Sequence, residues 1–196
     1  MKIMKEIIFK NIKTELGQML VGVTDNKLCL LEFAIQERIS RTLTKLQKKY
    51  HYSLISGEDE LLTKVENDLT SYFEGTLKKF DFQLGMIGTE FEKIVWNQLL
   101  KIPYGQTRSY LEIAKSIGKP TGFRAVARAN GSNNISIIIP CHRVIASNGN
   151  LQGYGGELWR KDILLRHEKY GLKIDELLIN KTKAKNKFSL LEQWIN

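Results

Sequence analysis

The chain of 196 residues, 42% hydrophobic and 26% charged with 15 glycines and 3 prolines, has a globular composition and room for a sizeable core, which excludes a disordered chain. Its two cysteines, Cys29 and Cys141, and its three histidines show no CxxC or HxxxH spacing, so neither a disulfide framework nor a metal site is expected; the apolar runs Leu28 to Ala34 and Ile135 to Pro140 are far short of the roughly 20 residues a membrane span needs. Thirty Lys/Arg against 21 Asp/Glu give +9, unevenly placed: residues 1–87 carry 13 basic and 12 acidic side chains, 88–170 carry 12 and 6, and 171–196 carry 5 and 3.

From Ile7 to Phe33 the pattern is a β-meander: strands Ile7 to Ile12, Met19 to Thr24 and Leu28 to Phe33, separated by turns at Thr14 to Gly17 and at Asp25-Asn26. Two helical stretches follow, one with Ile35, Ile39, Leu43 and Leu46 on a face, the other with Leu61, Leu62, Val65, Leu69, Tyr72 and Phe73. Lys78 to Gly88 shows neither period and is placed as a linker. The fold class is therefore α+β, with an N-terminal α+β domain over 1–87, a mostly helical domain over 88–170 and a basic tail over 171–196.

The second half opens on the capping box Thr89-Glu90-Phe91-Glu92, whose threonine and glutamate side chains satisfy free backbone donors, before the stripe Phe91, Ile94, Val95 and Leu99. A second capping box, Ser109-Tyr110-Leu111-Glu112, starts a short helix stopped by Gly118 and Pro120. In the next helix Phe123, Val126, Ala127 and Asn130 share a face, with Arg124 and Arg128 one turn apart beside it and small Ala125 and Ala129 allowing close approach. The pair reads as a helix-turn-helix or as a plain αα-hairpin, and the basic surroundings favour the former.

The β-branched run Ile135 to Ile139 reads as a buried strand ended by Pro140, from which a thiol, an imidazole and a guanidinium, Cys141-His142-Arg143, emerge together. A glycine-dense loop spans Ser147 to Gly156, and a last helix from about Glu157 to Tyr170 carries Leu158, Leu164, Leu165 and Leu172 as its buried stripe. Glu168 falls beside that stripe. It is either a buried carboxylate with a specific imidazole or hydroxyl partner, or an exposed acid at a helix end. Beyond Tyr170, lysines alternate from Lys181 to Lys187, and Leu190, Leu191 and Trp194 could share one helical face.

A cysteine attacks carbon as thiolate, so at neutral pH its ordinary pKa of about 8.5 must fall or a base must take the proton. His142 is the adjacent base, and a turn after Pro140 would let its ring reach the thiol, directly or through a water, with Glu168 orienting it. Cys29, inside an apolar strand, is inert filler.

Ile138-Ile139-Pro140-Cys141-His142-Arg143-Val144 resembles the active-site sequence of the O6-alkylguanine-DNA alkyltransferases, also called methylated-DNA-protein-cysteine methyltransferases. The resemblance extends through Gly88-Thr89-Glu90-Phe91 with Val95-Trp96, Ile102-Pro103-Tyr104-Gly105 with Thr107-Arg108-Ser109-Tyr110, Arg124-Ala125-Val126, Gly153-Tyr154 and Leu164-Leu165-Arg166-His167-Glu168. It implies a ribonuclease-H-like first domain and a single-turnover repair reaction. Cys141 accepts the alkyl group of O6-alkylguanine irreversibly, O4-alkylthymine being left open as a second substrate.

By the same resemblance, His142 acts on Cys141 through a water, Glu168 holds His142, and Asn133 is the hinge asparagine. Tyr110 helps rotate a phosphate and protonates the leaving guanine, while Arg124 takes the place of the base extruded from the stack. Tyr154 and Gly155 wall the base pocket with Val144, and Ser147 and Lys119 are phosphate contacts. Asn134 stands where many relatives carry proline. The implied partner is double-stranded DNA carrying the lesion, bound by a monomer with no cofactor, metal, membrane or obligate protein partner. A DNA-binding module that flips the base without a nucleophile, a transcriptional regulator and a cysteine hydrolase are the alternatives. Cys141 opposes the first, the lack of a sensor or dimer element the second, and the basic half the third.

Overall fold

The computed structural model describes residues 5–184. Strands β1 (Lys5–Thr14), β2 (Gly17–Thr24) and β3 (Lys27–Phe33) form the expected antiparallel meander, and Asp25 and Asn26 make its second turn at φ of +50° and +60°. Those left-handed values suit Asp and Asn, and the resulting turn matches the twist of the flanking strands. Helix α1 (Gln36–Thr44) continues into a π-turn, Lys45–Lys49, and leads to β4 (Tyr52–Ser56), which lies parallel to β1. The sheet order is β3-β2-β1-β4. The sequence reading lacks β4, a five-residue edge strand whose residues are half-buried or exposed, and so without a clear alternation.

Alternation along the strands sends side chains to two cores. Ile7, Leu20 and Leu30 pack with Leu46 beneath α1, whereas Ile12, Met19, Val21, Leu31 and Phe33 face α2 (Glu60–Phe73). This second core continues without a break into Val95, Trp96, Ile113, Val126, Ile139 and Leu164 of the other half. The outer edge of β3 is covered, which keeps its unpaired backbone groups from pairing with another chain. Leu28 exchanges backbone bonds with Gln83 and Gly85 of the connecting segment, and Leu31 with Asn134 and Ser136.

Both capping boxes form, at Thr89 for α3 (Glu90–Leu99) and at Ser109 for α4 (Tyr110–Ser116), and α4 is followed by α5 (Phe123–Gly131). On α5 the buried positions are Val126, Ala129 and Asn130, while Phe123 is exposed and so is Ala125. The carbonyl of Ala129 takes the Trp96 indole N–H at 2.8 Å, so Ala129 is small because α3 packs on it.

Three expectations need correction. Ile135 to Ile139 is not a strand: Ile135 makes one bridge to Leu31, after which the chain turns, with Ile137 at φ +72° and the Ile139 N–H returning to the Ile135 carbonyl. The local β propensity is overridden by Asn133, whose side chain bonds the Ile135 N–H and the Ile139 carbonyl. On α6 (Leu158–Tyr170), Leu158 is exposed and Leu172 lies beyond the helix end, while Lys161, Ile163, His167 and Glu168 are buried, because the helix is enclosed on more than one side. The tail is not uniformly a basic extension, since α7 (Ile174–Ala184) buries Ile174 and Leu177 in the main core. The apolar end with Leu190, Leu191 and Trp194, and the lysines at 185 and 187, lie outside the described residues.

Candidate active site

Pro140 ends the turn and Cys141–Arg143 form a single 3-10 turn, from which β6 (Val144–Ile145) pairs in parallel with β5 (Arg108–Ser109). In this turn neighbouring side chains diverge by about 120° rather than to opposite faces, which places Cys141 and His142 in one buried layer. Asn133 Nδ2 donates to Cys141 Sγ at 3.1 Å and to the Ile139 carbonyl at 2.9 Å, while Asn130 Nδ2 donates to the Cys141 carbonyl at 3.3 Å. The sulfur is thus held by the loop that leaves α5. Burial pushes the Cys141 thiol up, against the pull of the Asn133 bond and the Arg38 charge, so the resting group is the neutral thiol.

Glu168 is the hub behind it. Its Oε1 lies 2.9 Å from His142 Nε2 and accepts from the Tyr72 hydroxyl at 2.7 Å and from Arg143 NH2 at 2.9 Å; its Oε2 accepts from Arg143 Nε at 2.8 Å and from the Gly105 N–H at 3.1 Å. Burial alone would raise the Glu168 carboxyl, but the hydrogen bonds and charges of His142 and Arg143 hold it well below the usual carboxylate range. Burial also pushes the His142 imidazole down, against the attraction of Glu168. A neutral ring facing an ionised carboxylate carries its proton on Nε2, which leaves the lone pair on Nδ1. His142 Nδ1 is buried and has no hydrogen-bond partner among the described residues. The arrangement is a buried thiol, an imidazole with one nitrogen unpartnered among the described residues, and an ionised carboxylate on the other ring nitrogen.

Four segments pack around this layer: α4, the glycine loop, β6 and α6. Tyr110, first residue of α4, donates from its hydroxyl to the Gln152 carbonyl at 3.1 Å, and its phenol is pushed up to about 12 by burial and by the nearby Cys141. Tyr154 stands edge-on to His142 and Phe33, with its hydroxyl buried and unpartnered among the described residues. Gly155 lies against the Arg38 guanidinium, so a Cβ there would displace a side chain that is paired with Glu32 and bonded to the Gly131 and Asn133 carbonyls. Val144 is fully buried in β6. Lys161, buried on α6, donates to the Val144 and Gln152 carbonyls at 2.6 Å each, tying the strand after the cysteine to the glycine loop, and burial pulls its pKa down to about 8.

The structure therefore brings together Cys141, His142, Glu168 and Asn133, with Tyr110, Tyr154, Gly155 and Val144 near them. Arg124, Ser147 and Lys119 stand apart on exposed positions, Arg124 at the start of α5, Lys119 in the turn before it and Ser147 in the loop after β6. Sequence reasoning missed Tyr72, Lys161 and Arg38 as parts of the site and gave Arg143, seen beside Cys141 and His142, no role in it. The one signal available was a charged residue inside an apolar run. Glu32 in Leu28 to Phe33 is fully buried and pairs with Arg38, while accepting from the Ser136 hydroxyl. Lys161 beside the leucines of α6 is the same signal. Among the described residues, no three His, Cys, Asp or Glu side chains cluster as metal ligands.

Residues 90–170 match the model of the 6-O-methylguanine DNA methyltransferase, DNA binding domain. A methylated-DNA–protein-cysteine methyltransferase of Methanosarcina acetivorans is 53% identical over 110 residues, covering 56% of this chain and 70% of that one. One of Mycolicibacterium paratuberculosis is 42% identical over 147 residues, covering 74% and 89%. The chain belongs to the methylated-DNA–protein-cysteine methyltransferase family. Membership extends to the N-terminal half, since the crystal structure of Mycobacterium tuberculosis OGT in complex with DNA superposes with a TM-score of 0.74 and 40% identity over 87% of this chain and 98% of that one. Within the methyltransferase family fold, the α+β class and the meander expected from sequence are both present.

Proposed function

We propose that the protein reverses O6-alkylation of guanine in duplex DNA directly, moving the alkyl group onto Sγ of Cys141 once per molecule. The observation that carries this reading is a buried thiol held at 3.1 Å by Asn133, beside an imidazole whose Nε2 is committed to an ionised Glu168. His142 Nδ1 takes the thiol proton through a bridging water, and Glu168 stabilises the imidazolium. Sγ then attacks the alkyl carbon, the S–C bond forms as the C–O6 bond breaks, and the electron pair leaves on the guanine. Tyr110 gives the guanine a proton, and its phenolate recovers one from the imidazolium. The thioether has no leaving group, so the protein is spent, and no cofactor enters because DNA supplies the alkyl group.

A base inside a duplex cannot reach a buried sulfur, so it must be extruded, at a cost of about a few kcal/mol. Helix α5 lies in the minor groove, where little sequence is read, and Arg124 fills the vacated stack. Tyr154, Gly155 and Val144 wall the pocket, and the unpartnered Tyr154 hydroxyl is available to the base. Ser147 and Lys119 meet phosphates. Residues 88–170 perform binding and transfer, residues 1–87 hold the relay from behind through Tyr72, and the protein acts as a monomer in the cytoplasm, at the nucleoid in a prokaryote. No helix among the described residues is long and apolar enough to cross a membrane.

The test is a titration of a duplex bearing one O6-methylguanine with increasing protein. Repair that stops at one lesion per protein molecule, together with a Cys141→Ala variant that binds the duplex and repairs none, supports the reading. Repeated turnover, or transfer surviving in Cys141→Ala, contradicts it.

A further inference from the structure

The positive charge of the N-terminal half is gathered in one segment. Residues 36–50 carry five Lys/Arg against one Glu, whereas the rest of 1–87 carries eight against eleven. Arg41, Lys45, Lys48 and Lys49, at spacings of four, seven and eight, fall on one side of α1 and the π-turn, where they line a trough of about 470 Å³. A second hollow of about 210 Å³ has Arg38, Arg41 and Lys45 on one side and Gly131, Ser132 and Asn134 on the other, so the trough opens onto the C-terminal end of α5. Arg38 fixes that junction by donating to the Gly131 carbonyl at 3.1 Å and the Asn133 carbonyl at 2.8 Å.

The cations of this ridge are not all neutralised. Arg38 is paired with Glu32 and Lys45 with Glu92, but Arg41, Lys48 and Lys49 make no ion pair among the described residues. The carboxylate on the same helix, Glu37, meets Arg41 only through its backbone carbonyl. All three free cations are exposed, and Lys49 lies over the Tyr50 ring, which keeps its stem on the surface rather than free in solvent. Three uncompensated charges along one helix face, continuous with a second helix end, match the regular negative charge of a nucleic-acid strand.

We propose that Arg41, Lys48 and Lys49 bind the phosphodiester backbone of the duplex as it passes the C-terminal end of α5, so that the N-terminal domain adds sequence-independent phosphate contacts to the lesion site. The inference rests on α5 being the DNA-contacting helix. Such contacts add affinity for any duplex and steepen its salt dependence, while leaving the preference for the lesion unchanged.

The full chain and its Arg41→Ala/Lys48→Ala/Lys49→Ala variant are compared for binding an unmodified duplex across a salt series. Each phosphate contact contributes about 0.9 to the slope of log affinity against log salt, so the slope should fall by about 2 to 3 and low-salt affinity by at least about tenfold. The ratio of lesion to unmodified affinity, and transfer from free O6-methylguanine base, should not change. The milder Lys48→Gln/Lys49→Gln variant should lose about 2 of the slope. An unchanged slope in both variants overturns the proposal and assigns the ridge to another partner. Arg124→Ala separates the two readings: if it leaves binding and repair of the lesion duplex intact, the assignment of α5 fails, whatever the ridge variants do.

Discussion

Glu168 takes five hydrogen bonds from four residues, and that crowding sets the chemistry of His142. Because burial holds the imidazole below its ordinary value of 6.5, the base stays unprotonated through neutral pH, and the acid limb of the transfer rate should lie below pH 6.5. Single-turnover rates across a pH series check this; a limb at or above 6.5 contradicts it. Tyr72 competes with His142 for Oε1, so Tyr72→Phe should strengthen the carboxylate as an acceptor and move the acid limb upward, with a stability loss of about 1 kcal/mol in urea. A variant that lost stability without any shift of the limb would make Tyr72 a packing residue only. Glu168→Gln leaves Arg143 buried without its charge partner and should cost about 3–5 kcal/mol, measured the same way.

Elements were legible where their cause is local. Capping boxes at Thr89 and Ser109, the Asp25-Asn26 turn and the alternation of β2 and β3 each need only a few adjacent residues, and each forms as expected. The turn over Ile135 to Ile139 was not legible because, besides the nearby Asn133, it depends on the edge of β3, about a hundred residues away in sequence. Site residues divide in the same way. Cys141 and His142 are adjacent and readable, whereas spacing puts Glu168 beside an apolar stripe without deciding between a buried and an exposed carboxylate, and the structure buries it. Tyr72 and Arg38 reach the site from 96 and 95 residues away, and no periodicity signals such a pairing. On the role proposed for Tyr110, the Ser109 cap bears on transfer as well as stability: Ser109 begins the helix whose first residue is Tyr110, so Ser109→Ala should cost about 1 kcal/mol and slow transfer while leaving duplex affinity nearly intact. Equal losses of rate and affinity would contradict that link.

At the scale of the whole molecule, a continuous core joins the sheet to the transfer half, and the relay bridges them through Tyr72, His142 and Arg143. Glu168 titrates in the folded protein below its ordinary value of 4.5, so its contribution to stability is fully present above that pH and is lost as pH falls through the folded value. His142 acts in the same direction below 6.5, since the unfolded chain takes up its proton first. Thermal melts should therefore fall more steeply with acid in the native protein than in Glu168→Gln, and parallel curves would contradict the coupling.

Everything turns on one sulfur among two. Cys29 lies in the apolar strand β3, its thiol pushed up to about 12 by burial and donating to the Gly22 carbonyl, and it faces the core beneath α1 rather than the relay. The most direct measurement is a peptide map by mass after reaction with an O6-methylguanine duplex. Replacing a thiol proton with methyl should add about 14 Da, in the stoichiometric manner of a covalent intermediate that is never released. The added mass should sit on the peptide containing Cys141 and be absent from Cys141→Ala. Methyl on Cys29, or an unmodified protein that nonetheless removes the lesion, would contradict it.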